Sequence, residues 1–488
     1  LKANFILSRG ILACLCISVV VGPWFFGAWE MWWFWPFVAP IFVALLLFGL
    51  KLILGGCAGC EASRPAGPGE GVEGTPVDMT RRHLRLLLSA VPFLLYASFR
   101  YLSAPVYIDA ERSFLLFLTS WLLVMMVVFG LGASERRWLF GAICINLVLM
   151  ALYGLINHQL TESRLVLWAD GFEKYFRDDR ASGCYFCPDH FSGVMEIAAC
   201  LGLGFVFGGG LRMHERLGGL AMTILGVAGI MMSKSRGGGI TFIVILVAVA
   251  IWGLTHLPRE ARWWWRLSAC SAVLMLVLLL ASTAGPYMNR FGAYFGGKQL
   301  RGKSASEVLE TAKKHVVSKS RPQMYGAAYR AWRSAPWMGI GPGMHESLWP
   351  HFGPTADGDP ASGKWPSRLN LEYTSNEVHN DWLELLEEYG VVGFVLFLLP
   401  FGLLVREFHG SLKQDPRRQR IRVLMHEADG EPWQDAMVLG VFLAILAMTF
   451  HSLGDFNLQI PATTWMMATL TGLGLSAMGQ GASREPAT

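Results

Sequence analysis

Arg236 stands in the run Ser233-Lys234-Ser235-Arg236-Gly237-Gly238-Gly239, between two long apolar stretches. A cation so close to hydrocarbon is costly unless it meets an anion or a carboxylate. The three glycines let a ligand approach the backbone closely and offer N–H groups at the start of the next helix. A guanidinium beside a helix N-terminus suits phosphate. The alternative is a loop arginine reaching to lipid headgroups. Lys234 shares this segment. Arg180 in DDRASGCYFCPDHFSG and Arg321 in SRPQMYGAAYRAW are further cations on the same expected membrane face.

His379 opens the segment HNDWLELLEEYGVVGF. Trp382, Leu383, Leu385, Leu386 and Tyr389 give it a broad apolar face, so 379–389 is predicted to form an interfacial helix leading into a span. Asn380 or Asn376 is placed to cap it, and Gly390 and Gly393 permit a bend. An imidazole here suits a general base, and the helix N-terminus favours its neutral form. The competing reading is a capping or packing histidine. Asp381, Glu384, Glu387 and Glu388 read mainly as a solvated face, with Glu388 the candidate for orienting His379 or an arginine. His451 and Asp455, in HSLGDFN, read as polar groups of the bundle interior, supporting rather than catalytic. GIGPG at 339–343 lacks the G-K-[ST] of a phosphate loop and reads as a structural turn.

These residues need a scaffold, and composition identifies it. Of 488 residues, 53% are hydrophobic and 16% charged. A soluble domain carries about 25% charge. Apolar runs long enough to cross a bilayer recur throughout. The expected fold is all-α and polytopic, with about twelve transmembrane helices, at 9–27, 31–53, 85–102, 113–133, 138–156, 190–210, 217–233, 237–256, 267–285, 390–405, 436–453 and 461–479. The first apolar run, Ile11 to Phe26, reads as an uncleaved span.

The expected divisions are a transmembrane pair (1–54), a flexible Gly- and Pro-rich cytoplasmic loop (55–84), helices 3–9 (85–285), a large extracytoplasmic loop between spans 9 and 10 (286–389), helices 10–12 (390–480) and a disordered tail (481–488). Arg81, Arg82, Arg136, Arg137, Arg212 and Arg216 fall in connections on one side. That predicts a cytoplasmic N-terminus. The pairs Cys57/Cys60 and Cys184/Cys187 then fall on opposite sides, against a joint zinc site. A Cys184–Cys187 disulfide and free thiols both remain open. The sequence holds no H-E-x-x-H, G-x-S-x-G, Walker or Rossmann motif. A net charge of +5 gives no indication of nucleic acid.

Together, RASGCYFCPDHFSG, SKSRGGG, APWMGIGPGMH, HNDWLELLEEYGVVG and HSLGDFNLQIP, in this order, resemble the O-antigen ligase and polymerase superfamily of bacterial envelope glycosyltransferases. The resemblance implies a membrane glycosyltransferase-type fold in the bacterial inner membrane, with an active site facing the periplasm. It implies an inverting transfer of a polyprenyl-diphosphate-linked glycan to a hydroxyl of a lipid-core, glycan or protein acceptor, with no metal, nucleotide sugar or other cofactor. Carried over, Arg236 and Arg321 engage the diphosphate, Arg180 lines the same cavity and His379 activates the acceptor. One departure stands out: Asp189 occupies a position where the family commonly has Asn. A ligase, a polymerase and a protein glycosylating enzyme share this donor chemistry. A transporter is the reading from another class, but its polar residues belong near the bilayer midplane, whereas here they gather at one face.

Overall fold

The structure is a computed structural model that describes residues 2–54, 76–160, 180–208, 211–256, 306–307, 320–354, 374–412 and 432–480. Among these residues every element is helical. This follows from the composition, because a helix satisfies its own backbone polar groups in hydrocarbon, where water cannot.

Eight of the described helices are long and apolar enough to cross a membrane: Ala3–Trp24, Met31–Ile53, Tyr107–Gly130, Ala133–Leu160, Pro188–Phe207, Met213–Ser233, Asp381–Leu412 and Trp433–His451. Each falls on an expected span. Of the four other expectations, 237–256 and 461–479 fall on helices Arg236–His256 and Pro461–Gln480. The stretch 85–102 falls on two shorter helices, Pro76–Ser89 and Val91–Leu102. Pro92 sits in the first turn of the second, where its missing N–H interrupts no intrahelical bond. The span expected at 267–285 lies outside the described residues, as do Cys57 and Cys60.

The core gathers around the helix Pro188–Phe207, here α1. It is buried from His190 to Gly204. It packs against the helix Met213–Ser233 (α2) on one side and Pro432–His451 (α3) on another. Two glycines make this approach possible. A Cβ at Gly226 of α2 would lie 2.7 Å from the Met195 carbonyl oxygen, and one at Gly204 would lie 2.3 Å from that of Ala436 in α3. Small residues let helices meet backbone to backbone in a bilayer, where packing replaces the hydrophobic drive. At the end of α1 remote from Arg180, Arg216 donates to the carbonyls of Val206 and Gly208, each at 2.9 Å.

The large loop contributes two described helices, Ser320–Ser334 (α4) and Met344–Phe352 (α5). Ala327, Ala331, Trp349 and Phe352 form a small apolar core between them. Asp381–Leu412 (α6) starts in the loop and enters the bundle. It breaks at Gly390, which has φ 64° and ψ −174°. The GIGPG turn repairs the break. Ile340 and Gly341 donate N–H groups to the carbonyls of Glu387 and Glu388, each at 3.0 Å. Val391 and Val392 donate to the carbonyls of Pro336 and Trp337 at 2.9 and 3.1 Å. The turn therefore replaces bonds the helix loses when it bends, as a break in a membrane helix requires.

Candidate active site

Asp455 organises the site. It lies in the connection after α3 and is 1% exposed. One carboxylate oxygen is 3.0 Å from His379 Nδ1 and the other 3.2 Å from Arg321 Nη2. The same Arg321 nitrogen is 3.5 Å from Asp189, and Arg180 Nη2 is 2.7 Å from the other oxygen of Asp189. Arg180, Asp189, Arg321, Asp455 and His379 thus form one continuous chain of charged and polar groups. The Arg321 and His379 side chains remain 22% and 25% exposed, so the chain opens outward at those two residues.

Local structure explains each placement. Arg180 is fixed through Nε to the Ser233 carbonyl at 2.8 Å, while Ala181 donates its N–H to Met232 at 2.9 Å, so the loop is pinned to the end of α2. Asp189 occupies the first turn of α1 behind Pro188. Lys234 ends α2 in the left-handed conformation, with φ 50°. Ser235 then caps the helix Arg236–His256 (α7), its hydroxyl accepting from Gly238 N–H at 3.2 Å. Ser235 also hydrogen-bonds Asp189. The segment headed by Arg236 therefore adjoins the charged chain on both sides of that residue: Ser235 meets Asp189, and a Cβ at Gly237 would lie 2.9 Å from His451 Nε2.

His379 has φ 58°, a sparsely populated region for a residue with a side chain. Several contacts hold it there. Tyr325 donates its hydroxyl to the His379 carbonyl at 3.1 Å. Asp381 N–H donates to Ser452, and the Asp381 carboxylate accepts from the Ser452 hydroxyl and the Leu458 N–H. Asn380 caps α6 by accepting from Leu383 N–H at 3.0 Å, and its amide donates to the Leu453 carbonyl. Phe456 stands edge-on to both His190 and His379, with centroids 4.4 and 4.6 Å away.

The electrostatics follow from this geometry. Burial alone would push the Asp455 carboxyl up. The Arg321 guanidinium and the hydrogen bond from His379 outweigh that and hold it well below the usual carboxylate range. Burial works against the Arg321 charge, yet Asp455 and Asp189 keep it more strongly protonated than a free arginine. A carboxylate can only accept, so His379 presents a proton to Asp455 at Nδ1, and Nε2 is the nitrogen left to act as a base. Cys184 and Cys187 are both free. Burial pushes the Cys184 thiol up to about 12 and raises that of Cys187, so both remain protonated near neutrality.

Of the residues singled out by sequence, Arg180, Arg321, His379, Asp455 and His451 meet in this cluster, with Arg236, Lys234 and Asn380 on the segments framing it. Glu388 does not join them. It bonds Ser113 and the Gly343 backbone on another face of α6. The expectation of a solvated carboxylate face is also corrected: Asp381, Glu384, Glu387 and Glu388 are all buried. Glu387 and Glu388 are covered by the loop helix α5 and the turn before it, while Asp381 meets Ser452 and Leu458 in the connection after α3. The Glu384 carboxylate accepts from Val378 N–H at 3.1 Å, and Glu387 lies 3.0 Å from His345 Nδ1. Sequence reasoning passed over Glu196, which lies 2.7 Å from His451 Nδ1. Its signal was a lone carboxylate inside an apolar run.

The family model for O-antigen ligase matches residues 221–398, a segment that includes Arg236, Arg321 and His379. The match bears out the resemblance to the O-antigen ligase-like superfamily. No curated protein matches the chain.

Proposed function

We propose, on the premise that this multi-pass membrane protein is related to the O-antigen ligases and performs glycosyl transfer in envelope polysaccharide assembly, that it is an inverting, metal-independent ligase. It moves a glycan from polyprenyl diphosphate to an acceptor hydroxyl at the periplasmic face of the inner membrane. One observation carries this reading. Arg321 and His379 reach the two oxygens of a single buried carboxylate, Asp455, beside the segment headed by Arg236.

In the proposed reaction, His379 Nε2 takes the proton from the acceptor hydroxyl. The freed oxygen attacks the anomeric carbon from the side opposite the diphosphate. A carbon–oxygen bond forms, the bond from carbon to phosphate oxygen breaks, and polyprenyl diphosphate leaves with the electron pair. Asp455 holds the Nδ1 proton and stabilises the imidazolium that results. Arg236, Arg321 and Arg180 supply the positive charge that a leaving diphosphate requires, and planar guanidinium groups suit its oxygens. Asp189, in place of a neutral amide, balances Arg180 and Arg321 before the donor arrives.

Arg236→Ala and His379→Ala are expected to abolish transfer in proteoliposomes charged with a lipid-diphosphate-linked glycan, while both variants still insert in the membrane. Near-normal turnover by either would exclude its role. The matched family favours a ligase over a polymerase. Deleting the gene and separating surface glycans by electrophoresis tells them apart: loss of a ligase leaves unattached lipid-linked polymer, whereas loss of a polymerase leaves single repeats.

A further inference from the structure

Behind Asp455, away from the open side of the site, two more ionisable residues are sealed in the bundle. His451 ends α3 and Glu196 lies two turns into α1, with side-chain exposures of 0% and 1%. The two ring nitrogens of His451 face opposite ways, each toward a carboxylate. Nδ1 is 2.7 Å from Glu196 Oε1, and Nε2 is 4.0 Å from Asp455 Oδ2. A neutral imidazole presents a proton at only one nitrogen, whereas the imidazolium presents one at each. One carboxylate at 2.7 Å and a second at 4.0 Å place negative charge on both sides of the ring, which favours the cation. A buried carboxylate at hydrogen-bond distance supplies the counter-charge that such a cation needs.

From this geometry we infer that Glu196 and His451 form a positioning pair that sets how readily His379 takes a proton, acting through Asp455. The inference rests on the role proposed above for His379. The His451 cation and Arg321 both draw on the negative field of Asp455. Less of that field is then left to stabilise a proton on His379. Neither Glu196 nor His451 touches the open part of the site. Other ionisable groups bear on the same cluster. Asp189, His190 and Cys200 belong to α1, and Arg180 lies just before it. Arg321 projects from α4 and Asp455 from the connection after α3. Arg236 heads α7, whose Gly237 abuts the His451 ring. Substituting Glu196 leaves all of these in place.

The test reads the proton on His379 directly and needs no substrate. The full chain is prepared with carbon-13 labelled histidine in lipid nanodiscs, and the His379 ring signal is assigned by its loss in His379→Gln. In Glu196→Gln the His451 cation loses its counter-ion and reverts to the neutral form. Asp455 then acts more fully on His379, whose titration midpoint is expected to rise by about half a pH unit or more, near a threefold gain in proton affinity. Glu196→Asp, which keeps the charge, is expected to stay closer to the wild-type midpoint than Glu196→Gln does. The double variant Glu196→Gln/His451→Asn removes both charges and is expected to raise the midpoint as well. A midpoint unchanged or lowered in the folded variants overturns the inference. So does unfolding of both uncharged variants, which would make the pair structural only. Because titration is read without turnover, this result is independent of whether His379→Ala and Arg236→Ala abolish transfer.

Discussion

Nδ1 of His379 lies 3.0 Å from Oδ1 of Asp455, although 76 residues separate the two in the chain. The contact defines which imidazole nitrogen is free to accept a proton. It also places a full negative charge where the imidazolium of the reaction would form.

Asp455→Asn keeps the size and most of the shape of the side chain but removes that charge. An amide can donate to Nδ1 as well as accept from it, so the wrong tautomer becomes available and Nε2 loses its lone pair. Turnover with a lipid-diphosphate-linked donor is expected to fall by roughly two to four orders of magnitude, with a much smaller effect on donor affinity. Steady-state kinetics in proteoliposomes give both quantities. A variant within a few-fold of wild type would show that Asp455 only neutralises Arg321.

Arg321 joins two carboxylates through one nitrogen, at 3.2 and 3.5 Å. Arg321→Lys keeps the charge but offers three N–H groups on one nitrogen instead of five on a planar fork, so a lysine that bridges Asp189 and Asp455 has a single donor left for a diphosphate. Weaker donor binding is expected, by about 10-fold or more, together with partial loss of turnover. Arg321→Ala removes the cation shared by Asp189 and the buried Asp455 and is expected to be worse on both counts. Binding of radiolabelled polyprenyl diphosphate to nanodisc-embedded protein would rank the three proteins.

Much of this arrangement was legible in the sequence, for physical reasons. Cations such as Arg180 and Arg236 beside apolar runs are costly unless they meet an anion, so their type and position were informative without coordinates, whereas Arg321, in the large loop, was singled out through the family resemblance. His379 was legible because it stands at the mouth of an amphipathic helix. Partnerships were not legible. Asp189 and Asp455 are 266 positions apart, and nothing in either segment tells that Arg321 joins them. The carboxylates of α6 were misjudged for a related reason. Helical periodicity puts Glu384, Glu387 and Glu388 off the main apolar stripe. It cannot show that the loop helix α5 and the turn before it fold over Glu387 and Glu388. Glu196 was overlooked because an apolar run suggests a span first, and its single carboxylate was absorbed into that reading.

His345 shows how the loop is tied to the segment carrying His379. Its Nδ1 is 3.0 Å from Glu387 and its Nε2 is 3.2 Å from the Ser375 hydroxyl, which donates to the Glu377 carbonyl. Burial would lower its proton affinity. The charge of Glu387, its hydrogen bond, and the nearby Glu377 and Glu346 outweigh burial and raise it. A histidine raised in the folded state contributes stability that is fully present below its unfolded pKa of about 6.5. That contribution is lost as pH climbs through the folded value. His345→Gln should therefore lower the thermal unfolding temperature most below about pH 6.5, with the gap to wild type closing as the pH rises above that. Thermal scans of nanodisc samples across that range provide the check. A gap that does not change with pH would mean that packing, rather than charge, is the source of the effect.

Gly339 and Gly402 make a contrasting pair on the same helix system. Gly339 has φ 73°, and a Cβ there would lie 2.2 Å from the Glu388 carbonyl oxygen, at the repaired break in α6. Gly402 is inside α6, with nothing within 4 Å of its Cβ position. Gly339→Ala meets strained backbone and a backbone clash together. It is expected to cost about 3 kcal/mol or more, and it should uncouple the GIGPG turn from the segment leading to His379. Gly402→Ala should be neutral or stabilising by up to about 1 kcal/mol, because alanine loses less backbone freedom in a helix. Unfolding midpoints measured side by side decide the matter, and hydrogen exchange at Ile340 and Gly341 locates the damage. Faster exchange at those two amides in Gly339→Ala alone would show that the turn holds the break closed. Equal protection in both variants would mean that the kink at Gly390 is stable without it.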